Sequence, residues 1–332
     1  MNKDFGAFSD QPISCDIHDF LDIEISETWI LKDFLPFGGK MLIWGDTNAG
    51  KSPLVATLAQ SVLSGTPFLR KIATAQGNVA YFMFPDMSLQ EWQDRWEPWR
   101  LGGFLPERGQ FYTNFHPTNA RIDATAKQVR ELQGTKKEWP SHLKWVQDLR
   151  SYDPILVIVD VITQTHDRDM NDGLVPKLIY NAWRTVTGNR PGIVFTHHER
   201  KALYATLTGK KVSDPKHSFS GHMDWLNLVS GGIEIAKEGN RFLVNLSKER
   251  KGDGTTVFPI HLNTETMLFD IGDNHWGRAW KMLEKGVEPD EVAMKICTED
   301  FNLTKAQKLV GQVVKVLDAQ AEIRREQNVA LV

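Results

Sequence analysis

The sequence predicts an α/β protein with a mostly parallel central sheet, a β-hairpin tail and a small helical C-terminal module. Three observations predict it. Residues 41–63, MLIWGDTNAGKSPLVATLAQSVL, read as a short apolar strand, a loop and a helix with Leu54, Val55, Leu58, Ala59 and Val62 on one face. Residues 155–160 and 192–198 are apolar runs ending in polar residues, the pattern of strands buried on both faces. Their last residues emerge at the C-terminal edge of the sheet, where ligands of open α/β sheets bind. Residues 232–236 and 241–246 flank the turn Glu238-Gly239-Asn240 and predict the hairpin, with a further strand at 256–262.

The loop between the first strand and helix is a phosphate cradle. Gly45, Gly50, Lys51 and Ser52 fill the fixed positions of G-x-x-x-x-G-K-[ST]. That motif aims backbone N–H groups at a triphosphate, here with Asn48 and Ala49 inside the loop. Lys51 is placed to reach the β/γ-phosphates, and the Ser52 hydroxyl to hold Mg²⁺. The predicted cofactors are therefore ATP and Mg²⁺.

Bulk properties narrow the class. The chain has 332 residues, 41% of them hydrophobic, enough for one large domain and a smaller appendage. Lys and Arg total 39 against 42 Asp and Glu, so nucleic-acid contact requires a local patch and not a global field. Cys15 and Cys297 lie far apart without metal-ligand spacing, which argues against a disulfide framework or zinc site. No apolar run approaches the roughly 20 residues of a membrane span, and the N-terminus lacks a signal-peptide layout. The expected location is cytoplasmic, the host cytoplasm if the chain is phage-encoded.

Further elements follow in chain order. Residues 1–27 mix acidic and apolar residues without a period and read as an N-terminal arm or a peripheral local element. Pro36, Gly38 and Gly39 form a turn into the cradle strand. A second strand at 79–84 ends at Asp86, placed either to orient an attacking water or to cap a helix at 89–99. The two roles are compatible. Trp92, Trp96 and Trp99 on that helix read as packing, and helices are expected at 123–132 and 141–150. Asp160, closing the 155–160 strand, is the expected Mg²⁺-side carboxylate. A polar loop at 163–175 and a helix at 177–186 lead to His197, placed as a γ-phosphate sensor, with His198 the weaker choice. Residues 199–218 carry Arg200, Lys201, Lys210, Lys211 and Lys216 beside Tyr204, a composition suited to tracking nucleic-acid phosphates or simply to a solvated loop. Lys248 and Arg250 alternate with Glu249 after the hairpin, so both project to one side, as a finger toward a neighbour's triphosphate or a charged tip. The end of the chain reads as helices at 276–284, 287–297 and 303–317, the last two in a helix-turn-helix arrangement bearing Lys305, Lys308 and Lys315.

Taken in order, these motifs resemble the RecA-like P-loop ATPases, in the plasmid and phage RepA-type branch related to replicative hexameric helicases. The resemblance covers about residues 28–270 and rests on the lead-in WILKDFLPFGGKMLIWG, the cradle, SGTPFL before GNVAYF, the Asp160 strand, the His197-His198 strand end and Lys248-Glu-Arg250-Lys-Gly252. It implies a RecA-like core at 28–272 between the arm and a helical module at 273–332. It makes Asp160 the Walker B aspartate, His197 the sensor, and Lys248 and Arg250 groups acting on the adjacent subunit's site. It further implies a homo-oligomer, a hexameric ring, with single-stranded nucleic acid in a channel lined by loops 163–175 and 199–218. The activity implied is that of an ATP-hydrolysing ring motor on nucleic acid, a phage or plasmid helicase or translocase. Two alternatives are a nucleotide-binding assembly module with little turnover and a viral genome-packaging ATPase. Two positions depart from the family pattern: Pro85 stands where a glutamate is usual, and Pro53 removes one N–H that would face the α-phosphate.

Overall fold

The computed structural model describes residues 28–83, 90, 94, 97, 110–112, 144–165, 169–198, 224–239, 241–248, 256–272, 274–298 and 300–329. In chain order these form β1 (Trp29–Leu31), β2 (Leu35–Pro36), β3 (Lys40–Gly45), α1 (Lys51–Ser64), β4 (Val79–Met83), β5 (Gln110–Tyr112) and α2 (Lys144–Tyr152). They continue as β6 (Leu156–Asp160), a 3₁₀ turn at Ile162–Thr165, α3 (Val175–Thr187), β7 (Gly192–His198), α4 (Asp224–Asn227), β8 (Gly231–Glu238), β9 (Arg241–Lys248), β10 (Thr256–Asn263) and β11 (Leu268–Asp270). Three helices close the chain: α5 (His275–Leu283), α6 (Pro289–Ile296) and α7 (Leu303–Val329).

Nine strands form one sheet in the order β11-β10-β9-β8-β3-β7-β6-β4-β5. From β8 to β5 every pairing is parallel, whereas β8 to β11 meander antiparallel. This is the expected RecA-like α/β architecture, a parallel sheet carrying a hairpin tail. β3 and β6 are apolar without alternation because both of their faces are covered. On one face Met41, Ile43, Tyr81, Ile158 and Val194 pack against α1. On the other, Leu42, Trp44, Val159 and Phe195 pack against Ile179 and Trp183 of α3, and against Trp225.

At the end of the sheet away from the cradle, one guanidinium bridges several backbone carbonyls. Arg184 donates to the carbonyls of Gly188, Pro191, Gly38 and Gly39, joining the end of α3 to the turn before β3. Burial pushes its guanidinium down from its ordinary value, and burial followed by the charge of Arg184 does the same to Lys40.

The C-terminal helices share the α1-side core. Trp276, Ala279, Trp280, Val292, Ile296, Ala306, Val310, Val313 and Ile323 belong to the same apolar cluster as Leu54, Leu58 and Val62. α7 runs to Val329, well past the expected end near residue 317, its inward face continuing through buried Gln320 and Ile323. Gln320 accepts from the Thr74 N–H at 2.7 Å and donates to the Thr74 carbonyl at 2.7 Å and to the Gly65 carbonyl at 3.1 Å. Seven residues on, Gln327 repeats this on Gln76, accepting at 3.0 Å and donating at 2.8 Å. The intervening residues bond the other way, Ala73 accepting from Lys32 N–H and Ala75 donating to the Ile30 carbonyl. The extended segment 73–76 therefore pairs with β1 on one side and with two side-chain amides of α7 on the other.

Candidate functional site

The cradle lies where β3 ends and α1 begins. Gly50 is the N-cap of α1 at φ 93°, a left-handed conformation open to glycine, and Asn48 also has positive φ. A Cβ on Gly50 would stand 2.9 Å from the Phe269 ring and 3.1 Å from Phe242. These two aromatics, edge to face at 4.9 Å, form the floor under the loop. Gly45 is constrained differently: a Cβ there would lie 2.1 Å from the Ile235 carbonyl oxygen, so β3 must end in glycine to turn past β8. Ala49 is buried between these contacts.

The 14-residue α1 has no side-chain cap and no acid in its first turn, so its own start offers nothing that competes for an anion. The Lys51 ammonium is 3.0 Å from the Gly45 carbonyl and 2.8 Å from the Asp46 carbonyl, folded back over the loop it belongs to. Pro53 sits at the third helical position, where its missing N–H breaks no helix bond but leaves the loop one donor short. Its carbonyl accepts from the Thr57 hydroxyl, which also accepts from the Phe269 N–H, tying α1 to β11. A donor-lined loop opening a long helix, with a lysine and then Ser52, fits a triphosphate with its magnesium ion.

Asp160 ends β6 and is only 7% exposed. Its Oδ1 accepts from the Thr196 hydroxyl at 2.5 Å and its Oδ2 from the Tyr81 hydroxyl at 2.9 Å. Hydroxyls from the flanking strands β4 and β7 thus fix the carboxylate from both sides, on the sheet face that carries α1. Each carboxylate oxygen keeps a further acceptor position for metal-bound water. Tyr81 and Thr196 were not among the expected site residues. The available signal was strand parity: they share with Ile158 and Asp160 the alternate positions that face the cradle.

The same parity separates the two histidines. His197 is fully buried on the opposite face, its ring 5.7 Å from that of Trp225. Its Nδ1 lies 2.7 Å from the His198 carbonyl, which can only accept, so Nδ1 carries a proton and donates it along the strand. The sensor role expected of His197 therefore does not suit its position. His198, half-buried and in register with Gly45, lies on the cradle face.

Lys248 is the last residue of β9 and pairs with Gly232, which pairs with Leu42 of β3. That is three residues short of Gly45, about 10 Å down the sheet at ~3.3 Å per residue and two strands across. The strand therefore ends away from the cradle of its own chain. Asp86, Arg250 and the basic set Arg200, Lys201, Lys210, Lys211 and Lys216 lie outside the described residues, as do the N-terminal arm and the expected helix at 123–132. Among the described residues no cluster of His, Cys, Asp or Glu has metal-holding geometry of its own, and no helix is long and apolar enough to cross a membrane.

No curated protein matches the chain in sequence. Among solved structures, the KaiC-like protein PH0186 from the hyperthermophilic archaeon Pyrococcus horikoshii OT3 is similar over 74% of this chain and 98% of its own, with 11% identity and a TM-score of 0.42. Residues 14–203, more than half of the chain and including the cradle and Asp160, match the family described as AAA domain. The chain belongs to that AAA domain family.

Proposed function

We propose that this AAA-type nucleotide-binding ATPase is a ring motor that hydrolyses ATP on nucleic acid, a helicase or translocase of a phage or plasmid replication system. The observation that carries the ATPase part is the pairing of an uncapped, acid-free helix start bearing Lys51 and Ser52 with a carboxylate, Asp160, locked on the same sheet face. In this reading the loop amides and Lys51 bind and orient the phosphates. Ser52 and Asp160 would hold Mg²⁺, which when bound neutralises charge on the transferring phosphoryl group. His198, and not His197, stands at the cradle edge to report the γ-phosphate. Asp86 is the proposed water-orienting carboxylate. Lys248 and Arg250 are assigned to a neighbouring copy's site, supported by the register that takes β9 away from its own cradle. The resemblance of the ordered motifs supports the ring and the single-stranded cargo, with Arg200, Lys201, Lys210, Lys211 and Lys216 as contacts.

The test is ATP turnover with and without single-stranded DNA, with the solution mass recorded for the same preparation. Wild-type protein should form an oligomer and turn over faster with DNA, and Lys51→Ala should abolish turnover. Turnover indifferent to nucleic acid would remove the motor reading.

Pro53 favours a second reading, a nucleotide-locked assembly module with little turnover, because the loop lacks a phosphate donor that the motif ordinarily supplies. ATP-dependent assembly without hydrolysis would select it. A genome-packaging ATPase would use the same ring, and strand-displacement and capsid-binding assays separate that cargo from unwinding.

A further inference from the structure

The first half of α7 presents a cationic face that the ATPase site does not use. Between Asp300 and Asp318 the chain has three lysines and no carboxylate, although its overall charge is −3; exposed Asp318 and Glu322, three and seven residues after Lys315 on the same side of the helix, bound this lysine stretch. Ala306, Val310 and Val313 turn inward and are buried. Opposite them, at 100° per residue, Thr304, Lys308, Gly311 and Lys315 fall within a sector of roughly 60°, and all four are exposed. Exposed Gln307 and Gln312 flank that sector, and exposed Lys305 lies just past Gln312, roughly 60° outside it. Asn302 caps the helix through the Lys305 N–H at 3.0 Å, which fixes the start of this face.

Gly311 is the informative residue. Among the described residues nothing lies within 4 Å of where its Cβ would be, so packing among them does not require it. Glycine weakens a helix interior. Its place at the centre of the exposed face lets another surface approach the helix axis closely. Lys308 and Lys315 stand two turns apart, about 10 Å along the axis at ~1.5 Å per residue, close to the ~12 Å width of a major groove. The nearest carboxylates on α6 are in its first turn, and Glu291 there is paired with Lys295 at 2.5 Å. The second half of the helix is anchored through Gln320, Arg324 and Gln327 to residues 65–76, just beyond α1, so the face is held rigidly on the ATPase core.

We infer that this face of α7 docks nucleic acid, with Lys305, Lys308 and Lys315 contacting phosphates, Gly311 admitting the backbone, and Thr304, Gln307 and Gln312 supplying neutral hydrogen bonds. The inference rests on the nucleic-acid part of the reading above and adds a second contact surface to it. A lysine face on phosphate releases counterions, so its signature is the salt dependence of binding.

The experiment is fluorescence anisotropy of labelled duplex and single-stranded oligonucleotides with the full chain across a salt series. The variants are Lys305→Gln/Lys308→Gln/Lys315→Gln together and, separately, Gly311→Glu. The triple variant should bind at least tenfold more weakly, with the slope of log affinity against log salt reduced by about 2–3 on duplex, or ~2 on single strands. Gly311→Glu should lose affinity comparably while keeping all three lysines. Unfolding midpoint and affinity for a fluorescent ATP analogue should stay at wild-type values in both. The oligonucleotide on which the loss appears identifies the form docked. If the wild type binds and both variants match it in affinity and slope, α7 is not the docking face, while the motor reading stands. Absence of wild-type binding to either oligonucleotide overturns both, and variant loss on an acidic polypeptide but on neither oligonucleotide reassigns the face to a protein.

Discussion

The two glutamine clamps of α7 allow a prediction with its own control. Gln320 and Gln327 make the same amide-to-backbone pair, but Gln320 and Thr74 are buried at 4% and 0% exposure whereas the Gln327–Gln76 pair is exposed. Gln320→Ala strands the Thr74 N–H and carbonyl away from water. The Gly65 carbonyl keeps its bond from Arg324 at 2.8 Å and is not orphaned. At ~1–3 kcal/mol for each of the two buried groups left unsatisfied, the loss is about 2–6 kcal/mol. Gln327→Ala exposes its partners to solvent, so water replaces the amide and the loss is about 0–1 kcal/mol. Urea unfolding at constant m-value measures both. The total stability of a folded domain is ~5–15 kcal/mol, so the first change is a large fraction of it and the second is not. Equal losses for the two variants, or a loss below about 1 kcal/mol for Gln320→Ala, would refute the claim that burial makes this clamp a principal tie between α7 and the core.

Two further predictions concern single groups. Tyr81→Phe removes the hydroxyl on Asp160 Oδ2 and frees the carboxylate to rotate; we expect the Mg²⁺ concentration needed for tight ATP-analogue binding to rise several-fold at unchanged magnesium-free affinity, and an unaltered Mg²⁺ requirement would dismiss Tyr81 as a positioning residue. Lys71 has its ammonium 3.4 Å from the Trp276 ring centroid and 4.9 Å from Phe258, and burial lowers its pKa from 10.5 to about 8. The ring faces favour the charged form and oppose burial, so the penalty at neutral pH is on the order of 1–3 kcal/mol. Between about 8 and 10.5 the unfolded chain binds the proton that the folded chain has lost, so stability rises with pH through that window. The wild-type minus Lys71→Met difference in unfolding free energy should show this rise, and a flat difference would mean the rings cancel the burial cost.

Much of the sheet was legible because its signals are local. Fully apolar runs at 41–44 and 155–159 require two covered faces, and the glycine, lysine and serine of the cradle follow from backbone geometry that few other residues tolerate. The site was half legible. Asp160 follows from its place at the end of an apolar run, but Tyr81 and Thr196 look like ordinary strand residues, and their role depends on which strands become neighbours. The order β7-β6-β4 is a long-range fact that no local pattern encodes. A polar strand end alone points to His197 as readily as to His198; parity counted from Val194 puts His198, and not His197, on the cradle face. The full length of α7 was missed because Gln320 and Gln327 interrupt its apolar stripe, and only the backbone of residues 74 and 76 explains why glutamine belongs there.

One strand connects the two places where chemistry is expected. β9 begins with Arg241 and Phe242 at the cradle end of the sheet and finishes at Lys248, three residues lower on the neighbouring register. Phe242, with Phe269, is the floor under Gly50, and strand pairs on both sides hold β9 as a stiff element between β8 and β10. If Lys248 meets a neighbour's phosphates, a pull there displaces a strand whose other end supports this chain's own cradle. Phe242→Ala removes the contact under Gly50 but leaves the strand and Lys248 in place. If the assembled protein turns over ATP with a sigmoidal dependence, Phe242→Ala should make that dependence hyperbolic while the affinity of the isolated subunit falls less than tenfold. Retained cooperativity with Phe242 gone would mean that β9 does not carry the signal; lost binding would mean that the aromatic floor serves the cradle alone.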